Sequence, residues 1–165
     1  MLRRMNTRTW KVTLAGACVA CAMGLIAWRI AWATPGSGIT HNPISGPALL
    51  GEVATASESD SNETEFRTKG LSDVYVNRNK IEPGGTSGWH SHLGPSIFSV
   101  IAGTLTVYND CDDFETGHDF HAGTAVVVDA GCVYKIENEG DADLEFSVVQ
   151  IVPFGTPRVI DEPAP

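Results

Sequence analysis

His90 and His92 stand two residues apart in the stretch Gly88-Trp89-His90-Ser91-His92. On a strand the side-chain period is two, so both imidazoles face one side, while Trp89 and Ser91 face the other. Two converging imidazoles offer two neighbouring nitrogen ligands to a divalent metal. Without a metal, the same pair is a hydrogen-bonding wall for a cavity. A metal shell needs more ligands, and the sequence offers His118, His121 and Tyr134 as the possible third. His118 and His121 differ by three positions, so on a regular strand only one of them can look inward. Asp129, beside a turn, could add a carboxylate.

Tyr134 is placed by its neighbours. Alternation puts Tyr134 and Ile136 on one face and Val133, Lys135 and Glu137 on the other. Lys135 and Glu137 belong in solvent, so Tyr134 points inward. A phenol titrates near pH ~10, which makes it a better hydrogen-bond donor than metal ligand. Ser96 is a weak neutral ligand at best. Ser96, Phe98, Tyr134 and Ile136 are the expected pocket lining.

The elements that must position these groups are strands. From Phe66 onward no helical period is present. Short β-rich runs cover 73–80, 86–92, 96–101, 104–109, 118–122, 124–129, 133–138 and 144–152. Turn residues separate them: Pro83-Gly84-Gly85, Gly94-Pro95, Ala102-Gly103, Gly117, Gly123, Ala130-Gly131 and Glu139-Gly140-Asp141. Short strands with turns at this spacing predict a small all-β sandwich or barrel. The acidic run Asp110, Asp112, Asp113 and Glu115 reads as a solvated loop or a calcium site.

The turn spacing carries a family resemblance. Gly84 is followed after five residues by His90-Ser91-His92, then by Ser96 and, six residues on, Gly103. Gly123 is followed after five residues by Asp129-Ala130-Gly131, then Tyr134 and Asn138. This resembles the two motifs of the cupin superfamily, from Phe66 to Pro153, and the stretches 87–95 and 158–165 resemble a group of small bacterial cupins. The resemblance implies a jelly-roll β-barrel, a homodimer and a metal held by the motif ligands. Two of those ligands are replaced: Ser96 stands at the motif Glu and Tyr134 at the motif His. The second motif is therefore degenerate. In such a fold Cys111 and Cys132 both lie toward the barrel mouth. They pair as a disulfide in an oxidising compartment, or their thiols line the pocket.

Residues 1–33 read differently from the rest. They hold five of the eleven basic residues and none of the twenty acidic ones, so they carry +5 and the remainder −14, summing to −9. A basic start, an apolar stretch over 12–28 and Ala31-Trp32-Ala33 make the parts of a secretory signal. The apolar run is also near the length of a membrane span, so retention as a transmembrane anchor is the rival of cleavage. In either case the N-terminal segment engages the membrane or export machinery, and the rest is exported to the envelope or secreted. The acidic remainder excludes phosphate-backbone contact along a groove, and so nucleic acid.

The expected organisation is a signal or anchor helix over 1–33, a linker with a short strand at 48–53 over 34–63, a cupin barrel over 64–155 and a coil tail over 156–165. The expected function is small-molecule binding in the barrel, with one divalent metal (Fe, Mn, Zn or Ni) as an optional partner. The alternative is an iron- or manganese-dependent dioxygenase-like enzyme, and the sequence leaves catalysis open.

Overall fold

The computed structural model describes residues 33–60, 62–111 and 116–165. The apolar stretch 12–28, expected as a signal or anchor helix, lies outside the described residues, as do Asp112, Asp113 and Glu115. The described residues contain strands and turns and no helix. The strands are β1 (Ser37–Leu50), β2 (Ala54–Ser59), β3 (Asn62–Arg67), β4 (Ser72–Thr86), β5 (His90–Ser91), β6 (Ser96–Ala102), β7 (Thr104–Asn109), β8 (His118–His121), β9 (Ala125–Val128), β10 (Tyr134–Glu137), β11 (Leu144–Pro153) and β12 (Ile160–Asp161). Apart from the hairpin β2–β3, they form one sheet in the order β12-β5-β10-β4-β11-β6-β9. In addition β1 pairs with β4, and β7 bridges β10 and β8. The pairings are antiparallel, and the sheet curls into the nearly closed jelly roll that the family resemblance implies.

Alternation along β11 shows how the interior is built. Leu144, Phe146, Val148, Gln150 and Val152 are buried, whereas Glu145, Ser147, Val149 and Ile151 are half-exposed. Leu144 lies opposite Ile81 on β4, and Phe146 opposite Val100 on β6. Each large apolar side chain buried at this end contributes about 1.5–3 kcal/mol. Two rungs further along, Gln150 lies opposite Tyr75 and Ser96. The register therefore divides the barrel into an apolar end and a polar end, and places the polar end beside His90 and His92.

The stretch 34–63 is not a linker. Its first part is the fourteen-residue strand β1, paired along most of β4. Ladder hydrogen bonds need main chain, not apolar side chains, so a polar sequence can add to an open edge. Register shifts between Ser37/Ile39, Pro43/Ser45 and Ser45/Ala48 interrupt the ladder. Gly38 and Gly46 have positive φ at these irregularities, and an edge tolerates the missing donors of Pro43 and Pro47. The short strand expected at 48–53 is the end of β1. Ala54–Ser59 and Asn62–Arg67 pair as the separate, largely exposed hairpin β2–β3, so the sheet resumes at Ser72 instead of at residue 64. The tail is also not wholly coil, because β12 pairs with β5.

Candidate functional site

The strand expected over 86–92 is broken. β4 ends at Thr86, and only His90–Ser91 is strand again. Gly88 makes the break, with φ +71°, and a Cβ there would sit 1.9 Å from the Thr34 carbonyl oxygen. That conformation and that close approach both require glycine. Beyond the break, β5 is held on two sides. His90 is in register with Tyr134 of β10 and with Asp161 of β12. The three rings expected to face inward do converge: ring centroids are 5.0 Å apart for His90 and His92, 4.3 Å for His90 and Tyr134, and 5.7 Å for His92 and Tyr134.

The hydrogen bonds fix the tautomers. His90 Nδ1–H donates to the Gly88 carbonyl at 2.9 Å, and His92 Nδ1–H donates to the Arg158 carbonyl. A carbonyl only accepts, so in each neutral ring Nε2 keeps its lone pair. His92 Nε2 faces two donors: the Tyr134 hydroxyl at 2.9 Å and the Gln150 amide nitrogen at 2.7 Å. Gln150 is oriented by Arg158, whose Nη1 donates to Gln150 Oε1 at 2.7 Å. The Gln150 amide also donates to Ser96 Oγ at 3.3 Å.

Burial sets the charge states. It is the largest influence on His92, whose pKa falls to about 4 although the Arg158 carbonyl favours the charged form. Burial likewise lowers His90, opposed by the Gly88 carbonyl. Tyr134 is 1% exposed, and burial pushes its phenol up. At neutral pH the cluster is thus two neutral imidazoles and a protonated phenol, with the Arg158 guanidinium beside them.

These groups line a cavity of about 280 Å³. Phe98, Tyr134 and Ile136 belong to its wall, as expected, with Phe146 and Val148. Ser96 does not. It is buried at 1% exposure and hydrogen-bonded to Gln150. His118 and His121 lie exposed on β8 and take no part in the lining. His121 instead meets Thr104 at 3.1 Å. Strand β8 pairs with β7 and not with β5, so neither histidine is brought to the pair. Asp129 is exposed and outside the wall too. Cys111 and Cys132 are joined as a disulfide, so neither thiol lines the cavity.

Of the three candidates for a third metal ligand, only Tyr134 reaches the histidine pair, as a protonated phenol. Among the described residues, the group of three metal-type side chains that gathers closely is Asp110, Cys111 and Cys132, and its cysteines are spent in the disulfide. His41 and Asp161 also line the cavity, but among the described residues no third His, Cys, Asp or Glu ligand atom gathers with the histidine pair. The groups that do reach His92 Nε2 are an amide N–H and a phenol O–H, and hydrogen-bond donors do not fit a divalent metal, so the side chains in this arrangement do not make a metal site.

Residues 78–150 match the family model described as cupin domain. This segment is a domain of the cupin superfamily. A search among curated proteins finds no match. Among solved structures, this cupin is similar in fold to the polyketide cyclase RemF from Streptomyces resistomycificus. They share 13% identity over 80% of this chain and 77% of that one, with a TM-score of 0.54. It is also similar to a predicted oxalate decarboxylase from Thermotoga maritima, at 26% identity over 51% and 83% of the two chains and a TM-score of 0.42. A Cupin 2 conserved barrel domain protein from Salinispora arenicola matches at 23% identity over 47% of this chain and 61% of that one, with a TM-score of 0.42.

Sequence reasoning about this cupin missed Gln150, Arg158, Asn79 and His41, all in the cavity wall. One of them left a signal. Gln150 occupies an inward position in otherwise apolar alternation, between Val148 and Val152, whereas Asn79 shares its face of β4 with Asn77 and Asp73 and does not stand out. His41 was hidden because its strand has no apolar pattern, and Arg158 because its place depends on the tail folding back onto β5.

Proposed function

We propose that this cupin binds a small molecule in the polar end of its barrel, outside the cytoplasmic membrane. The carrying observation is the convergence of His90, His92, Tyr134, Gln150 and Arg158 on one cavity of about 280 Å³, a size near the lower end of small-ligand sites. Export rests on the basic and apolar segment over 1–33, and a paired Cys111–Cys132 suits an oxidising compartment. The test is a thermal-shift screen of small polar molecules against the wild type and Val148→Phe, which fills the cavity from its wall. Hits whose shift disappears in the filled variant support the reading. Hits that shift both proteins equally, or no hits with both proteins folded, overturn it.

A second reading has one observation in its favour. Each histidine of the pair donates its Nδ1–H to a backbone carbonyl, the arrangement that presents Nε2 to a metal. An Fe- or Mn-dependent enzyme would start from that pair. It would have to displace the Gln150 amide from His92 and supply the missing ligands. Elemental analysis of protein produced with supplied Fe, Mn, Zn and Ni tests it. Stoichiometric metal that is lost in His90→Ala would favour this reading over the first.

A further inference from the structure

Arg158 brings a full positive charge into the cavity wall and spends little of it. Its carbonyl takes His92 Nδ1–H, and the chain after it is tied across β5. Ser91 Oγ donates to Glu162 Oε1 at 2.8 Å, and Glu162 N–H to the Trp89 carbonyl at 3.0 Å. The backbone that carries Arg158 is therefore held in place against β5. Of its five N–H donors, one is used, on the neutral Gln150 Oε1. The ring of Tyr75 lies 5.9 Å away. Among the described residues no carboxylate forms an ion pair with Arg158; the four ion pairs present involve other residues. Asp161 also borders the cavity, but from an exposed position on β12 and beyond ion-pair distance. A half-buried cation without a counter-charge is costly.

The second observation is a surplus of donors. The single lone pair of His92 Nε2 faces both the Tyr134 hydroxyl and the Gln150 amide, so it can accept from only one of them at a time. Beside these groups, along the same inward faces of β11 and β6, lie the rings of Phe146 and Phe98. Tyr134 and Phe98 centroids lie 5.9 Å apart, and those of Phe98 and Phe146 5.8 Å.

The geometry points to a small carboxylic acid with an apolar body as the ligand, its carboxylate on the unspent N–H groups of Arg158 and its body against Phe98 and Phe146. This rests on the small-molecule reading above and names the class of molecule. A planar guanidinium fork matches a carboxylate in two parallel hydrogen bonds. A cavity of about 280 Å³ limits the ligand to the size of a single ring or a branched chain.

The test is calorimetric titration of the full chain, disulfide intact, with benzoate, phenylacetate and 3-methylbutanoate, each beside its uncharged amide. At least one acid is expected to bind at millimolar concentration or better and its amide about tenfold or more weaker. Arg158→Gln should weaken the acid about ten- to hundredfold, since a hydrogen bond to a charged group is worth about 1.5–3 kcal/mol, and weaken the amide several-fold less than the acid. Arg158→Lys should recover part of the loss. If Arg158 only braces Gln150, acid and amide weaken by the same factor, and the inference falls. If the amides bind as well as the acids, the carboxylate inference falls while the small-molecule reading stands. If no acid binds to folded protein, the carboxylate inference falls, and the thermal-shift screen decides the broader reading separately.

Discussion

Lowering the pH should loosen this barrel through His92. The side chain is 2% exposed, and burial lowers its pKa from 6.5 to about 4. A depressed histidine pKa means that the unfolded chain binds the proton first. The stability that comes from keeping the ring neutral is fully present above the unfolded value of 6.5. It is lost as the pH falls from there toward the folded value. Each pH unit of that gap is worth about 1.4 kcal/mol, so by pH 4 roughly 3 kcal/mol should be gone, a large part of a typical domain's 5–15 kcal/mol. Urea unfolding at steps from pH 7 to pH 4 measures it. Carboxylates titrate in the same range, so His92→Gln serves as the reference: its stability should fall less steeply between pH 6.5 and pH 4. The ring's own proton resonances give an independent reading, with a midpoint near 4 expected. Parallel pH profiles for the two proteins, or a His92 midpoint between 6 and 7, would refute the claim that burial governs this ring.

Three further outcomes follow from particular contacts. Gly88→Ala should lower stability by about 2 kcal/mol or more, because a φ of +71° and a backbone oxygen 1.9 Å from the new Cβ both oppose it; a melting temperature equal to that of the wild type contradicts it. Cys111→Ser with Cys132→Ser should cost about 3 kcal/mol by releasing a 21-residue loop in the unfolded chain, read from denaturant midpoints under non-reducing conditions. Asn77 carries a buried amide nitrogen with no partner. Asn77→Leu should therefore raise stability by about 1 kcal/mol, and a loss of stability on this exchange would mean that the amide is satisfied in solution.

The strand-and-turn pattern of the barrel was legible in the sequence because it is local. Alternation in 144–152 and glycines at the turns follow from pleat and φ, which each segment carries by itself. The inward direction of His90, His92 and Tyr134 was legible for the same reason, since a period of two needs only neighbours in sequence. What surrounds those rings was not legible. Gln150 reaches His92 because β11 and β6 pair in a particular register. Arg158 arrives because the tail folds back onto β5, and His41 because a polar strand adds to the edge of β4. The same long-range pairings keep His118 and His121, two of the three candidates for a third ligand, away from the pair. The sequence by itself determined a cupin barrel with two inward histidines and a degenerate second motif. Only the tertiary structure decided that the cavity is furnished with an amide, a phenol and an unpaired guanidinium, because strand pairing between distant segments sets those neighbours and no local pattern records it.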